Sequence, residues 1–158
     1  MGLGQIFKEQ YPKFKAYAFS LVRDHSSAED IVMEVFKKLI ERQNDLSTVM
    51  NIEAYIMRSV KNQFLDSIKK EKFVKPIEAA DQGEVVDVGS SSQVSADSNL
   101  ESLLKTLDKL GRNCQTVLTL MGLGYTYQQI GDIEGIAMGT VKSRMARCRD
   151  GLLAIYQE

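Results

Sequence analysis

The sequence predicts an all-α protein built as two small helical bundles joined by a flexible acidic linker. Three observations predict it. Helix formers dominate a chain with only two prolines and no tryptophan, and the alternating patterns of half-buried strands are almost absent. Apolar residues recur at helical spacing on both sides of a central stretch. That stretch, residues 73–98, shifts to Gly, Ser and acidic residues, a composition that buries little apolar surface. A length of 158 residues allows one domain or two small ones, each near the lower limit for a self-sufficient core.

Taken in order, Ile6, Phe7, Tyr11, Phe14, Ala18, Leu21 and Val22 place a helix over residues 5–23, and Pro12 predicts a break or a helix start near it. Ser26-Ser27-Ala28-Glu29 reads as a capping box opening a second helix that runs to Arg42. Asn44-Asp45-Leu46-Ser47 is a loop by composition. A long helix follows over residues 51–72. The linker holds Pro76, two glycines, five acids and Gly89-Ser90-Ser91-Ser92. Ser98-Asn99-Leu100-Glu101 is a further capping box, and its helix ends near Gly111, read as a C-cap. Another helix covers residues 113–122, broken by Gly122 and Gly124. Thr126-x-x-Gln129 then caps a short helix, Gly135 makes a tight turn, and a last helix follows. The C-terminal bundle therefore contains a helix-turn-helix. The domains are 1–72 and 99–158, with 73–98 between them.

Net charge is −1, but it is unevenly placed. Residues 1–72 carry 12 Lys/Arg against 10 Asp/Glu, residues 73–98 carry 1 against 5, and residues 99–158 carry 7 against 6. Two mildly basic modules thus flank an acidic segment. Each should bind nucleic acid weakly alone, unlike a uniformly basic protein that coats any duplex. Cys114 and Cys148 form no Cys-x-x-Cys pair and there is one histidine. That spacing excludes a zinc finger and offers no disulfide framework, so both cysteines are expected in core roles. No nucleophile–base pair, metal cluster or phosphate loop appears, so neither an enzyme nor a cofactor is expected. No apolar run reaches membrane-spanning length and there is no signal-peptide pattern, so a cytoplasmic protein without membrane insertion is expected.

On the last helix, Met145, Cys148, Leu152 and Ile155 fall within about 40° of Val141 at 100° per residue and make the buried stripe with it. Thr140, Ser143 and Arg147 lie opposite. Lys142 and Arg149 lie on one flank and Arg144 on the other. A helix entering the major groove needs this layout, because its flanks reach both phosphate backbones while its centre meets base edges. A solvated basic face is the plainer reading of four bases, and the capped helix and Gly135 turn before them weigh against it. Gly131 is small enough for the two helices to cross closely.

In the N-terminal module, Ala28, Ile31, Val32, Val35, Phe36 and Leu39 make an apolar face, and Asp30, Glu34, Lys37 and Glu41 lie opposite. An acid-rich ridge suits docking on a basic protein surface, although such a ridge is more often only solvated. The helix from Asn51 carries Arg58, Lys61, Asn62 and Lys69 with Tyr55 and Phe64 interleaved. Basic groups among aromatics suit single-stranded DNA, whose bases stack on aromatic faces. Tyr55 and Phe64 can instead be core residues, Phe64 more readily.

Together these pieces resemble a bacterial RNA polymerase sigma factor of the extracytoplasmic-function (ECF) group. The resemblance covers residues 5–72 and 99–156. Ala28-Glu29-Asp30-Ile31-Val32-Met33-Glu34-Val35-Phe36 looks like the helix that docks on the β′ clamp of core RNA polymerase, which would give Asp30, Glu34, Lys37 and Glu41 a polymerase-binding role. Residues 52–72 look like the helix recognising the −10 promoter element, with Tyr55, Arg58, Lys61, Asn62 and Lys69 as DNA contacts and the loop at 44–51 helping to capture a flipped-out base. Gly139-Thr140-Val141-Lys142-Ser143-Arg144, followed by Arg147 and Arg149, is similar to the family's −35-reading helix. Met33 stands where the family usually has Gln, and Tyr55 where it usually has Trp. The resemblance implies promoter DNA and core polymerase as partners, and an anti-sigma factor as a third. A stand-alone helix-turn-helix regulator would need a dimerisation surface and leaves the N-terminal module without a role. An adaptor that has lost promoter activity has no need of Lys142, Arg144, Arg147 and Arg149.

Overall fold

The computed structural model describes residues 2–71 and 109–156. The linker 73–98 and the helix expected to start at Ser98 lie outside the described residues. Helix α1 spans Leu3–Val22, α2 His25–Glu41 and α3 Ile52–Glu71, with a 3-10 helix at Gln43–Thr48 between α2 and α3. Helices α4, α5 and α6 follow at Arg112–Gly122, Tyr127–Glu134 and Met138–Tyr156.

Helix α1 does not break at Pro12 but runs through it. Proline removes the bond to the Lys8 carbonyl. Both Lys8 and Pro12 are exposed, so water can take that carbonyl. Burial of Phe14, Tyr17, Ala18 and Leu21 holds the helix beyond the proline. It ends at Arg23, in the left-handed region at φ 57°, whose N–H bonds the Phe19 carbonyl at 2.8 Å. The Arg23 guanidinium lies 4.7 Å from the Phe19 ring centroid, and that ring stacks on His25.

The cap of α2 is Asp24 rather than the Ser26 box read from the sequence. Its carboxylate accepts the Ser27 N–H at 2.8 Å, which also draws its pKa below the ordinary value. A full negative charge at a helix N-terminus is a stronger acceptor there than a hydroxyl. The stripe Ala28, Ile31, Val32, Val35, Phe36 and Leu39 is buried as read. It meets the α1 residues above and Ile56, Met57, Val60 and Phe64 of α3, with Phe36 set edge-on to Phe7 at 4.3 Å.

In the C-terminal part, Gly111, expected as a C-cap, is in extended conformation (φ −71°, ψ 167°) and is the N-cap of α4, while the helix expected before it lies outside the described residues. Gly could serve at either end. Val117, Leu120, Tyr125, Ile130, Ile133, Val141, Met145 and Cys148 are buried together. The cysteines are not two independent core thiols. Cys114 in the first turn of α4 and Cys148 in α6 form a disulfide with Cα atoms 5.4 Å apart. Their separation of 34 residues says nothing of proximity until α4 and α6 are packed together.

The two sets of helices are in direct contact. Helix α4 packs on α1, and α5 packs on α3. Arg112 stacks over the Phe64 ring at 5.0 Å, which places Phe64 at this junction and away from solvent.

Candidate nucleic-acid interface

The helix-turn-helix is built as its sequence requires. The Thr126 hydroxyl accepts the Gln129 N–H at 3.1 Å, and the Gln129 side-chain oxygen accepts the Thr126 N–H at 2.8 Å. Gly135 ends α5 at φ 76°, a conformation glycine adopts without steric cost. The N–H groups of Gly135 and Ile136 both reach the Gly131 carbonyl, at 2.8 and 2.9 Å. Gly131 is needed for space, since a Cβ there would stand 2.6 Å from the Ile136 carbonyl oxygen and 3.6 Å from Val141 Cγ2.

With the turn fixed, α6 buries Val141, Met145 and Cys148 and turns its other face outward. Lys142, Ser143, Arg147 and Arg149 are exposed, while Thr140 and Arg144 are half-buried at the margins. The Ser143 hydroxyl meanwhile bonds back to the Gly139 carbonyl at 3.2 Å. The structure thus brings together all six residues expected to read a duplex on one convex helix.

On α3 the outcome is divided. Arg58, Asn62 and Lys69 share one side of the helix, within about 40° at 100° per residue, and Tyr55 flanks them. Asn62 and Lys69 are exposed, and Tyr55 and Arg58 are half-buried. Lys61 is turned away toward α5. Its ammonium meets Glu134 Oε1 at 2.9 Å.

Glu134 was not singled out from the sequence. It is the last residue of α5 and its side chain is 2% exposed. Besides Lys61, its carboxylate accepts the Tyr17 hydroxyl of α1. Burial first, then the Glu134 charge and hydrogen bond, push the Tyr17 phenol well above its ordinary range. A second cluster repeats the pattern. Tyr125 donates to Glu53, Lys13 meets the same carboxylate at 3.2 Å, and the Lys13 ammonium lies 5.3 Å from the Tyr125 ring centroid. Burial and the Glu53 contact raise the Tyr125 phenol too. No short-range signal could have exposed these pairs, because Tyr17 and Glu134 are 117 positions apart.

The outer face of α2 carries Asp30, Lys37 and Glu41, all exposed, and the half-buried Glu34. Two apolar residues stand beside them, 53% and 56% exposed: Met33, noted in the sequence only for standing where Gln is usual, and Ile40, which was missed. Both lie outside the buried stripe of α2 and seven residues apart, and that departure was the available signal. The ridge is therefore acidic with two apolar anchors. At the other end of α2, Leu3, Ile6, Gln43, Asn44, Leu46, Ser47 and Ile52 line a pocket of 440 Å³. It opens at the start of the loop expected to hold a base. Among the described residues no helix is long and apolar enough to cross a membrane.

Comparison with known proteins agrees with this layout. Residues 6–74 match sigma-70 region 2 and residues 100–150 match sigma-70 region 4. The ECF RNA polymerase sigma factor EcfG of Rhodopseudomonas palustris is 28% identical over 145 residues, spanning 91% of this chain and 79% of that protein. The ECF sigma factor SigL of Mycobacterium tuberculosis is 25% identical over 155 residues, spanning 97% and 88%. Among solved structures, the sigma factor RpoE of Bartonella quintana, in complex with the anti-sigma factor NepR, superimposes with a TM-score of 0.72 at 26% identity. It covers 98% of this chain and 96% of that one.

Proposed function

We propose a division of labour between the two halves of this chain, which belongs to the sigma-70 family as a sigma factor of the ECF group. As such it binds core RNA polymerase and directs promoter-specific initiation. Residues 1–72 form the module that docks on the polymerase clamp, through Asp30, Glu34, Lys37 and Glu41 with Met33 and Ile40 as apolar anchors. The same module takes the melted −10 strand on Tyr55, Arg58, Lys61, Asn62 and Lys69, with the pocket at Gln43–Ser47 receiving an unstacked base. Residues 99–158 read the −35 element through Thr140, Lys142, Ser143, Arg144, Arg147 and Arg149. Residues 73–98 tether the two, so each binds DNA at the raised effective concentration the other provides. The chain acts by recognition alone, without covalent chemistry, in the cytoplasm where the polymerase works. An inhibitory partner of the kind seen with the Bartonella protein is expected to cover both modules.

The observation that carries this reading is the outward basic face of α6 behind a turn closed by Gly135. The contact between α3 and α5 refines it. Elements named −10 and −35 lie about 25 base pairs apart, roughly 85 Å along B-DNA at about 3.4 Å per pair. Lys61 and Glu134, one from each module, touch at 2.9 Å. The arrangement seen here is a resting form, and promoter engagement separates α1 and α3 from α4 and α5. Transcription in vitro with core polymerase on a genomic promoter library tests the proposal. Productive initiation that requires this chain supports it, and absence of any complex with core polymerase at low salt overturns it.

A further inference from the structure

We propose that Cys114 and Cys148 are a reversible two-electron redox pair that staples the DNA-reading bundle when it leaves the N-terminal helices. The part of this inference that concerns promoter activity rests on the function proposed above. The bond ties the first turn of α4 to the buried face of α6. In the resting arrangement α4 leans on α1 and α5 leans on α3. Separation of the modules removes both supports. What remains is a bundle of about 60 residues, a size at which a single core is marginal and a covalent cross-link has a large effect. Across a separation of 34 residues, the cross-link also restricts the unfolded chain.

The compartment makes the bond conditional. Core polymerase works in a reducing cytoplasm, where protein disulfides are transient or redox-sensing rather than permanent. The two sulfurs differ in the way a sensing pair requires. Cys114 is half-buried in the first turn of α4. A position at a helix N-terminus favours thiolate. Cys148 is 1% exposed and serves as the resolving thiol. With hydrogen peroxide as oxidant, the Cys114 thiolate attacks one peroxide oxygen, the O–O bond breaks, and the second oxygen leaves as water after taking a proton. Cys114 is then a sulfenic acid, oxidised by two electrons. The Cys148 sulfur attacks the Cys114 sulfur, the S–S bond forms, and the sulfenic oxygen leaves as a second water with the Cys148 proton. In sum, two thiols and one peroxide give one disulfide and two waters. A cellular dithiol restores both thiols by exchange.

The test uses the full chain, oxidised with hydrogen peroxide or reduced with dithiothreitol, beside a C114A/C148A variant. Alanine avoids placing a hydroxyl in the buried Cys148 site. Alkylation and mass measurement score the bond, hydrogen exchange scores the amides of α6, and transcription with core polymerase scores promoter use. The expected result is a bond that forms and reverses, α6 exchange about tenfold slower in the oxidised chain, and −35-dependent transcription several-fold higher from the oxidised form. The variant should match the reduced chain under both conditions. No bond after peroxide, or α6 exchange that is the same in both states, overturns the proposal. Equal transcription from both states overturns its regulatory part. Redox-dependent exchange with no transcription from either state leaves the pair standing and counts against the promoter function instead.

Discussion

Lys61 of α3 and Glu134 of α5 are joined at 2.9 Å across 73 positions of sequence, with the Glu134 side chain almost wholly buried. A lysine proposed as a −10 DNA contact is thus held by a carboxylate from the other module. Tyr17 donates to the same carboxylate, so the pair is anchored on two N-terminal helices at once. Replacing Glu134 with Ala leaves the Tyr17 hydroxyl without its acceptor and frees Lys61, a loss of about 1–3 kcal/mol at the junction. The expected outcome is a larger radius of gyration by small-angle X-ray scattering and tighter binding of single-stranded −10 DNA. An unchanged radius and affinity would show that Glu134 does not hold the modules together.

The two buried phenols give the junction a pH limit. Tyr17 and Tyr125 have their folded pKa values raised above the unfolded value of about 10. Their contribution is therefore complete below pH 10 and is lost as the pH rises beyond it, because the unfolded chain releases those protons first. Each costs at most about 1.4 kcal/mol per pH unit over that range. Urea unfolding between pH 8 and 12 should show a steeper alkaline fall for the native chain than for Tyr17→Phe/Tyr125→Phe. Identical slopes would contradict the placement of these groups.

Gly131→Ala should damage the helix-turn-helix. Its Cβ would stand 2.6 Å from a backbone carbonyl oxygen, and backbone cannot rotate away as a side chain can. A loss of about 1–3 kcal/mol is expected, read as a lower melting temperature together with weaker −35 binding. Gly139→Ala meets nothing within 4 Å and should be neutral or slightly stabilising.

Much of this architecture could be read from the chain, and the misses share a cause. The α2 stripe, the Thr126–Gln129 box and the Gly135 turn depend on neighbours within a few positions, and all three stand as read. Asp24 lies two positions before the Ser26 box, and only the backbone geometry shows which side chain reaches the Ser27 N–H. Pro12 predicts a break or a helix start because its cost is local, while the packing that carries α1 through it is not. The disulfide and the Glu134 junction depend on contacts between helices far apart in sequence, which periodicity does not encode. The basic face of α6 was legible because it belongs to one helix. The divided fate of the α3 residues was not, because Lys61 is taken by another module.

Arg147→Ala should weaken −35-dependent transcription while leaving polymerase binding intact. Arg147 is exposed at the centre of the outward face. A base contact there is worth about 1–3 kcal/mol, whereas loss of a phosphate contact from Lys142 should lower affinity evenly across sequences and flatten the salt dependence. Loss of polymerase association in Arg147→Ala would contradict the assignment.

Met33→Ala and Ile40→Ala should reduce affinity for core polymerase, each by about 1 kcal/mol or more if it fills a pocket. Charge reversal at Asp30 and Glu34 should slow association more than it speeds dissociation. Surface plasmon resonance on immobilised core enzyme separates the two effects, and unchanged rates in all four variants would remove this ridge as the docking face.

Among the described residues the chief packing partners of α6 are α4 and α5, while α1 and α3 are met by α4 and α5 in turn. The surface proposed to read DNA thereby stands apart from the contacts that join the two sets of helices. Substitutions on the outward side of one helix can redirect the chain to a new set of genes without disturbing how it rests, and duplicated copies can diverge in target while inheriting the same mode of restraint.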